Sequence, residues 1–161
     1  MLTLVLATPR SGSNSFVREL DVPVWFHPDH PAYGMHFEYY NFGPHYSQDN
    51  NDTLKLLFHS KLKDYLKDNP QQDIAVKVLI GTVNNFILKD LLQTSHTVHH
   101  TVRLDYRAQL KSYVAAGRQN IWLNNRHQPQ NITVEQDVID QCHKELYKGI
   151  TEHAQVYKAH G

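Results

Sequence analysis

Leu2-Thr3-Leu4-Val5-Leu6-Ala7-Thr8-Pro9-Arg10-Ser11-Gly12-Ser13-Asn14-Ser15 joins an uncharged apolar run to a turn-forming segment, and Phe16, Val17 and Leu20 follow at helical spacing. The order is strand, tight loop, helix. At such a junction, unpaired backbone N–H groups and the positive end of the helix favour an anion. Arg10 adds a fixed charge and a planar fork of donors, and Ser11, Ser13 and Ser15 add hydroxyls. Gly12 lets the backbone close around a phosphate. The alternative is a serine-rich turn that caps a helix. The Gly-Lys-Ser/Thr of a loop that holds a nucleoside triphosphate with magnesium is absent, which counts against kinase and GTPase chemistry.

Outward from this loop, apolar runs and helical patterns alternate. A second apolar run, 22–26, leads through a Pro- and His-rich loop at 27–34 to Glu38-Tyr39-Tyr40. A helix is predicted over about 53–67, capped by Asn51 or Asp52, with Leu54, Leu57, Phe58, Leu62, Tyr65 and Leu66 as its apolar stripe. Residues 74–80 are apolar on both faces apart from Lys77, the pattern of a central parallel strand. A helix over 83–92, a strand over 96–104 and a helix from an Asp105 cap to about Ala116 follow. After a polar loop at 118–131, a last helix is predicted from Thr133. Gln136 completes its capping box, and Val134, Val138, Cys142, Leu146 and Ile150 form its buried face. The alternation predicts one α/β domain over residues 1–161, a three-layer parallel sheet with helices on both faces. Ligands in such sheets bind beyond the carboxyl ends of the strands, here the loops after Ala7, Val24, Leu79 and Arg103.

With 161 residues, 40% hydrophobic and 20% charged, the chain can build one core and fits neither disorder nor a membrane span. Sixteen Lys and Arg balance sixteen Asp and Glu, so no overall field draws nucleic acid or an anionic bilayer, and an anion site must be built locally. Twelve histidines make the charge respond between about pH 5 and 7. Cys142 is the only cysteine, read as core filler, and a cytoplasmic setting is the simplest expectation. The run at 2–7 lacks the basic flank and length of a signal-peptide core.

Pro9-Arg10-Ser11-Gly12-Ser13 resembles the 5′-phosphosulfate loop of sulfotransferases, especially the trehalose sulfotransferase-like branch with Arg where cytosolic enzymes have Lys; Asn14 stands where Thr is usual. Val102-Arg103-Leu104-Asp105-Tyr106-Arg107-Ala108-Gln109-Leu110-Lys111-Ser112, with Ala115-Ala116 and Trp122, is similar to that branch's strand-to-helix segment. The resemblance implies that Arg103 and Ser112 hold a 3′-phosphate. Glu38-Tyr39 is similar to the branch's Glu-Tyr pair, whose Glu is the proposed base. The resemblance covers about residues 2–122 in ordered pieces.

It implies a P-loop NTPase-like fold of the sulfotransferase type, with a shortened C-terminal portion whose missing wall could come from a second subunit of a homo-oligomer. The implied nucleotide site is Pro9, Arg10, Ser11, Gly12, Ser13, Asn14, Ser15, Arg103 and Ser112, with Glu38, Arg10 and Lys77 in catalytic roles. The donor would be 3′-phosphoadenosine 5′-phosphosulfate (PAPS), without a metal, and the acceptor a hydroxyl of a small molecule or carbohydrate. Lys77 matches the strand Lys of cytosolic enzymes, but Leu79 occupies the place of their catalytic His. Lys77 is then either a leaving-group contact or a snorkelling structural lysine, and His36 is a reserve base.

Two other classes compete. A catalytically idle nucleotide-binding or scaffold protein would share the core and differ in turnover. A metal-binding module would draw on His27, His30, His96, His99 and His100, although strand alternation sends His96 and His99 to opposite faces.

Overall fold

In a computed structural model, which describes residues 1–34, 37–42, 48–119 and 133–160, β1 (Leu2–Ala7), β2 (Ile74–Leu79) and β3 (Thr97–Thr101) form an all-parallel sheet in the order β2-β1-β3. The helices are α1 (Ser13–Arg18), α2 (Gln48–Asp68), α3 (Asn85–Thr94), α4 (Tyr106–Gln119) and α5 (Gln136–His160). The α/β class and parallel sheet are those the sequence predicts. Among the described residues no helix is long and apolar enough to cross a membrane.

Register pairs Leu4 with Val76 and Val98, and paired residues of parallel strands share a face. Leu2, Leu4, Leu6, Ile74, Val76, Val78 and Val98 therefore line one face, where Phe58 and Leu62 of α2 and Ile87 and Leu91 of α3 close the core. Each such fully buried aliphatic side chain contributes about 1.5–3 kcal/mol. The other face carries Val5, Lys77 and His99, and α1 reaches it through Phe16, whose ring meets His99 edge-on at 5.2 Å.

Several elements differ from expectation. β1, not β2, is the central strand; among the described residues the outer edge of β2 makes two isolated bridges, Val24 to Ala75 and Glu38 to Lys77. Pro23 can accept from the Ala75 N–H but has no donor to extend the ladder, so 22–26 does not become a strand. β3 stops at Thr101 because its partner β1 ends at Ala7, the paired residue, and leaves Val102 and Leu104 exposed. α2 begins at Gln48, so Asn51 and Asp52 lie inside it rather than capping it, and Leu57 is exposed rather than part of the stripe. α4 runs through Gly117 to Gln119. α5 begins at Gln136, whose amide donates to Asp140 Oδ1 at 2.8 Å instead of closing a capping box. Leu146 of its expected stripe is buried, whereas Val134, Val138, Cys142 and Ile150 are half-buried.

Candidate functional site

Beyond Ala7 the chain turns sharply. Ser11 N–H donates to the Thr8 carbonyl at 3.3 Å, and Pro9 and Arg10 occupy the two central positions of that turn. Arg10 has φ 59°, the one non-glycine among the described residues in the left-handed region. Proline second and positive φ third is the pattern of a type II turn, in which the third residue is ordinarily glycine. Gly12, at φ 85°, precedes α1; a Cβ there would meet nothing within 4 Å, so backbone conformation rather than space calls for glycine. α1 has only six residues.

These residues line a cleft of about 350 Å³ beside the carboxyl ends of the strands. Pro9, Arg10, Gly12, Ser13, Asn14 and Ser15 form one wall. Glu38, Asn41, Lys77 and Leu79 form a second, and Arg103, Ser112 and Tyr113 a third. Ser11 is the expected site residue that is not brought to the cleft: its hydroxyl lies 3.2 Å from Thr101 Oγ1 on β3. Three cationic side chains, Arg10, Lys77 and Arg103, and one carboxylate, Glu38, line this space.

Arg10 Nε donates to Ser112 Oγ at 2.8 Å, and Arg103, exposed beyond β3, donates to the Arg10 carbonyl at 3.5 Å. Burial, and then the nearby charge of Arg103, lower the Arg10 pKa from its ordinary value. Ser112 accepts from Arg10 with a lone pair, so its hydroxyl proton can still be donated to an anion.

Strand alternation puts Lys77 on the α1 side of β2, where its side chain is 2% exposed and its ammonium pairs with Glu38 Oε1 at 3.4 Å. It also donates to Asn14 Oδ1, which gives the asparagine at this position a direct role. Burial pushes the Lys77 pKa down, opposed by Glu38. Glu38 is delivered by its bridge to Lys77 and by Tyr39 N–H donating to the Lys77 carbonyl at 3.3 Å. Asn41 Nδ2 donates to Glu38 Oε2 at 2.9 Å.

The segment carrying Glu38 is anchored in the core. Tyr39 hydroxyl donates to the Phe58 carbonyl at 2.9 Å, and Tyr40 hydroxyl meets His59 Nδ1 at 2.7 Å. His59 Nε2 continues to Asp90 Oδ2 at 2.9 Å. Burial drives both tyrosine hydroxyls far above their ordinary pKa.

Reading the sequence for site residues passed over Asn41, Tyr113 and Gln109. Gln109 lies one helical turn before Ser112 and so shares its face of α4. Asn41 had only its nearness to Glu38 to mark it. Tyr113 donates to Glu145 Oε2 of α5 at 3.0 Å; burial and that contact push its hydroxyl pKa up to about 12. His36 and Trp122 lie outside the described residues.

The histidines considered for a metal are dispersed. The buried ring of His30 bonds the Tyr39 carbonyl at 2.6 Å and the Ala32 N–H at 3.0 Å. His27 accepts from Asp29 N–H, His96 from Leu2 N–H, His99 packs on Phe16, and His100 meets His153. Among the described residues no group of three His, Cys, Asp or Glu could hold a metal.

Fold and geometry define an α/β protein with a cationic cleft at the carboxyl edge of a parallel sheet. No family model, curated protein or solved structure matches the chain.

Proposed function

We propose that the cleft binds 3′-phosphoadenosine 5′-phosphosulfate and passes its sulfuryl group to a hydroxyl of a small molecule or carbohydrate, as a sulfotransferase on a P-loop NTPase-like fold. One observation carries the reading. Arg10, Arg103, Ser112, Lys77 and Glu38 come from separate elements and line the same cleft. The charge of Arg103 acts unfavourably on the Arg10 guanidinium, and a bound anion near both would offset that repulsion.

In the proposed reaction the acceptor oxygen attacks sulfur as the bond from sulfur to the 5′-phosphate oxygen breaks. The bonding pair leaves on that oxygen, releasing 3′-phosphoadenosine 5′-phosphate, and the hydroxyl proton passes to Glu38. Lys77 and Arg10 offset the charge that develops on the leaving oxygen. Arg103 and Ser112 take the 3′-phosphate. Arg10 and the N–H groups at the start of the helix would replace the lysine and magnesium of a triphosphate loop, so the proposed site works without a metal. The mutual pairing of Lys77 and Glu38 favours a second reading, an idle nucleotide-binding protein, which differs only in turnover.

Calorimetric titration with 3′-phosphoadenosine 5′-phosphate, with and without EDTA, tests the site. Binding that survives EDTA and exceeds that of ATP is expected. Binding lost with EDTA, or ATP bound as tightly, rejects it.

A further inference from the structure

From its packing against the loop, we infer that Gln109 of α4 is the positioning residue that holds Arg10 in its cleft-facing pose. Gln109 is 1% exposed. Its amide nitrogen donates to Thr8 Oγ1 at 3.0 Å and to the Pro9 carbonyl at 2.8 Å, which uses both amide hydrogens. The Pro9 carbonyl can only accept. Turning the amide over would therefore set two oxygens against each other, so its orientation is fixed.

Gln109 Oε1 is buried and has no hydrogen-bond partner among the described residues. An acceptor in that state destabilises the fold, and a methionine or leucine would fill the same space without it. What the amide gives in return is its pair of donors, and both act on the residues immediately before Arg10. That backbone needs external support. Arg10 sits at φ 59°, unfavourable for an L side chain, and the turn's own closing bond, Ser11 to Thr8, is long at 3.3 Å. One turn along the same face of α4, Ser112 accepts from Arg10 Nε at 2.8 Å. A single helix face thus fixes the loop backbone through Gln109 and the guanidinium through Ser112.

The inference rests on the nucleotide reading of the cleft in one of its two measurements only. Gln109→Met keeps the side-chain length and removes both donors. The first measurement is the Arg10 Nε–Hε signal of the full ¹⁵N-labelled chain, assigned by its loss in Arg10→Ala. It is expected to show slowed exchange with water in the wild type and to move to the position of solvated arginines in Gln109→Met. The second is the affinity for 3′-phosphoadenosine 5′-phosphate, expected to fall about tenfold. Gln109→Glu, nearly unchanged in shape, covers the case in which the Met variant does not fold. Its carboxylate cannot donate at about pH 8; burial beside two oxygen acceptors raises the pKa of this carboxyl, and the protonated acid that forms on acidification can donate to Pro9. Its affinity relative to wild type should therefore recover on acidification. An unchanged Arg10 signal and affinity in Gln109→Met, or a pH-independent ratio in Gln109→Glu, overturns the role. A wild type that binds no nucleotide sinks the reading of the cleft, while the Arg10 signal still decides the role of Gln109.

Discussion

Arg10 occupies a backbone conformation that glycine would adopt at lower cost, and this separates its local strain from its role in binding. Arg10→Ala and Arg10→Gly both delete the guanidinium and its 2.8 Å bond to Ser112, so the difference between them isolates the backbone at φ 59°. An L-residue in the left-handed region costs roughly 1–2 kcal/mol relative to glycine. Glycine's greater freedom in the unfolded chain offsets about 0.4–1 kcal/mol of that. At the middle of these ranges a net advantage of about 0.8 kcal/mol for glycine remains, and for a chain of this size it raises the melting temperature by about 2–3 °C. Circular dichroism melts of the two variants give the comparison, and calorimetry with 3′-phosphoadenosine 5′-phosphate gives the function. Arg10→Gly should melt above Arg10→Ala, with nucleotide binding lost in both. An alanine variant as stable as the glycine variant would show that the loop is unstrained at residue 10. Binding retained by Arg10→Gly would show that the guanidinium does not hold the anion. Strain kept at a site where a cheaper residue fits points to selection for the side chain.

Arg103→Ala should weaken 3′-phosphoadenosine 5′-phosphate roughly tenfold to hundredfold and adenosine 5′-phosphosulfate little; equal loss for both would make Arg103 a support of the fold. Glu38→Gln should lower turnover by roughly 10²–10⁴-fold, and turnover near the wild-type rate would move the base elsewhere. Burial depresses the pKa of both His59 and His153, against the opposing pull of Asp90 and of the Leu6 backbone respectively. Below about 6.5, the unfolded value, the unfolded chain therefore binds more protons than the folded one, and stability falls as pH drops through that window and levels off above it. Melting temperatures from about pH 5 to 8 should show this slope, and a flat profile would contradict the burial of neutral histidines.

The local signals of the fold were legible where burial and chain direction agree. β1 and β2 were readable because each is a short β-rich apolar run bounded by turn residues, and the left-handed position of Gly12 fits the strand-loop-helix junction. Strand order was not readable: both β1 and β2 are buried on both faces, and the two-faced apolar run of β2, broken only by Lys77, looked like the centre when β1 holds that place. The ends of β3 and α2 were misplaced because a strand stops where its partner stops, and a helix can begin in residues of weak propensity when its later turns pack. Most of the residues that line the cleft were marked by motifs, Asn41 and Tyr113 excepted, while the contacts among them were not. Nothing in the spacing of Arg10 and Ser112, or of Glu38 and Lys77, announces that each pair touches across the fold. Gln109 was equally silent, since a glutamine on a helix is ordinarily solvated.

The pairing of Lys77 with Glu38 also constrains how a Glu38 variant must be interpreted. Each group is the other's counter-charge, and Lys77 is the deeper of the two, at 2% exposure against 18%. Desolvation already lowers the Lys77 pKa, and Glu38 is the group that resists that shift. Removing the carboxylate therefore leaves a buried ammonium held by Asn14 and pushes its pKa lower still. An incoming phosphosulfate would supply the missing counter-charge and restore it. The consequence is a change in linkage: nucleotide binding to Glu38→Gln should take up a proton that wild-type binding does not. Calorimetric heats measured in buffers of different ionisation enthalpy would reveal that uptake. If Lys77 instead keeps its charge without Glu38, the heats will not depend on the buffer, and the loss of turnover in Glu38→Gln can be assigned to the base alone.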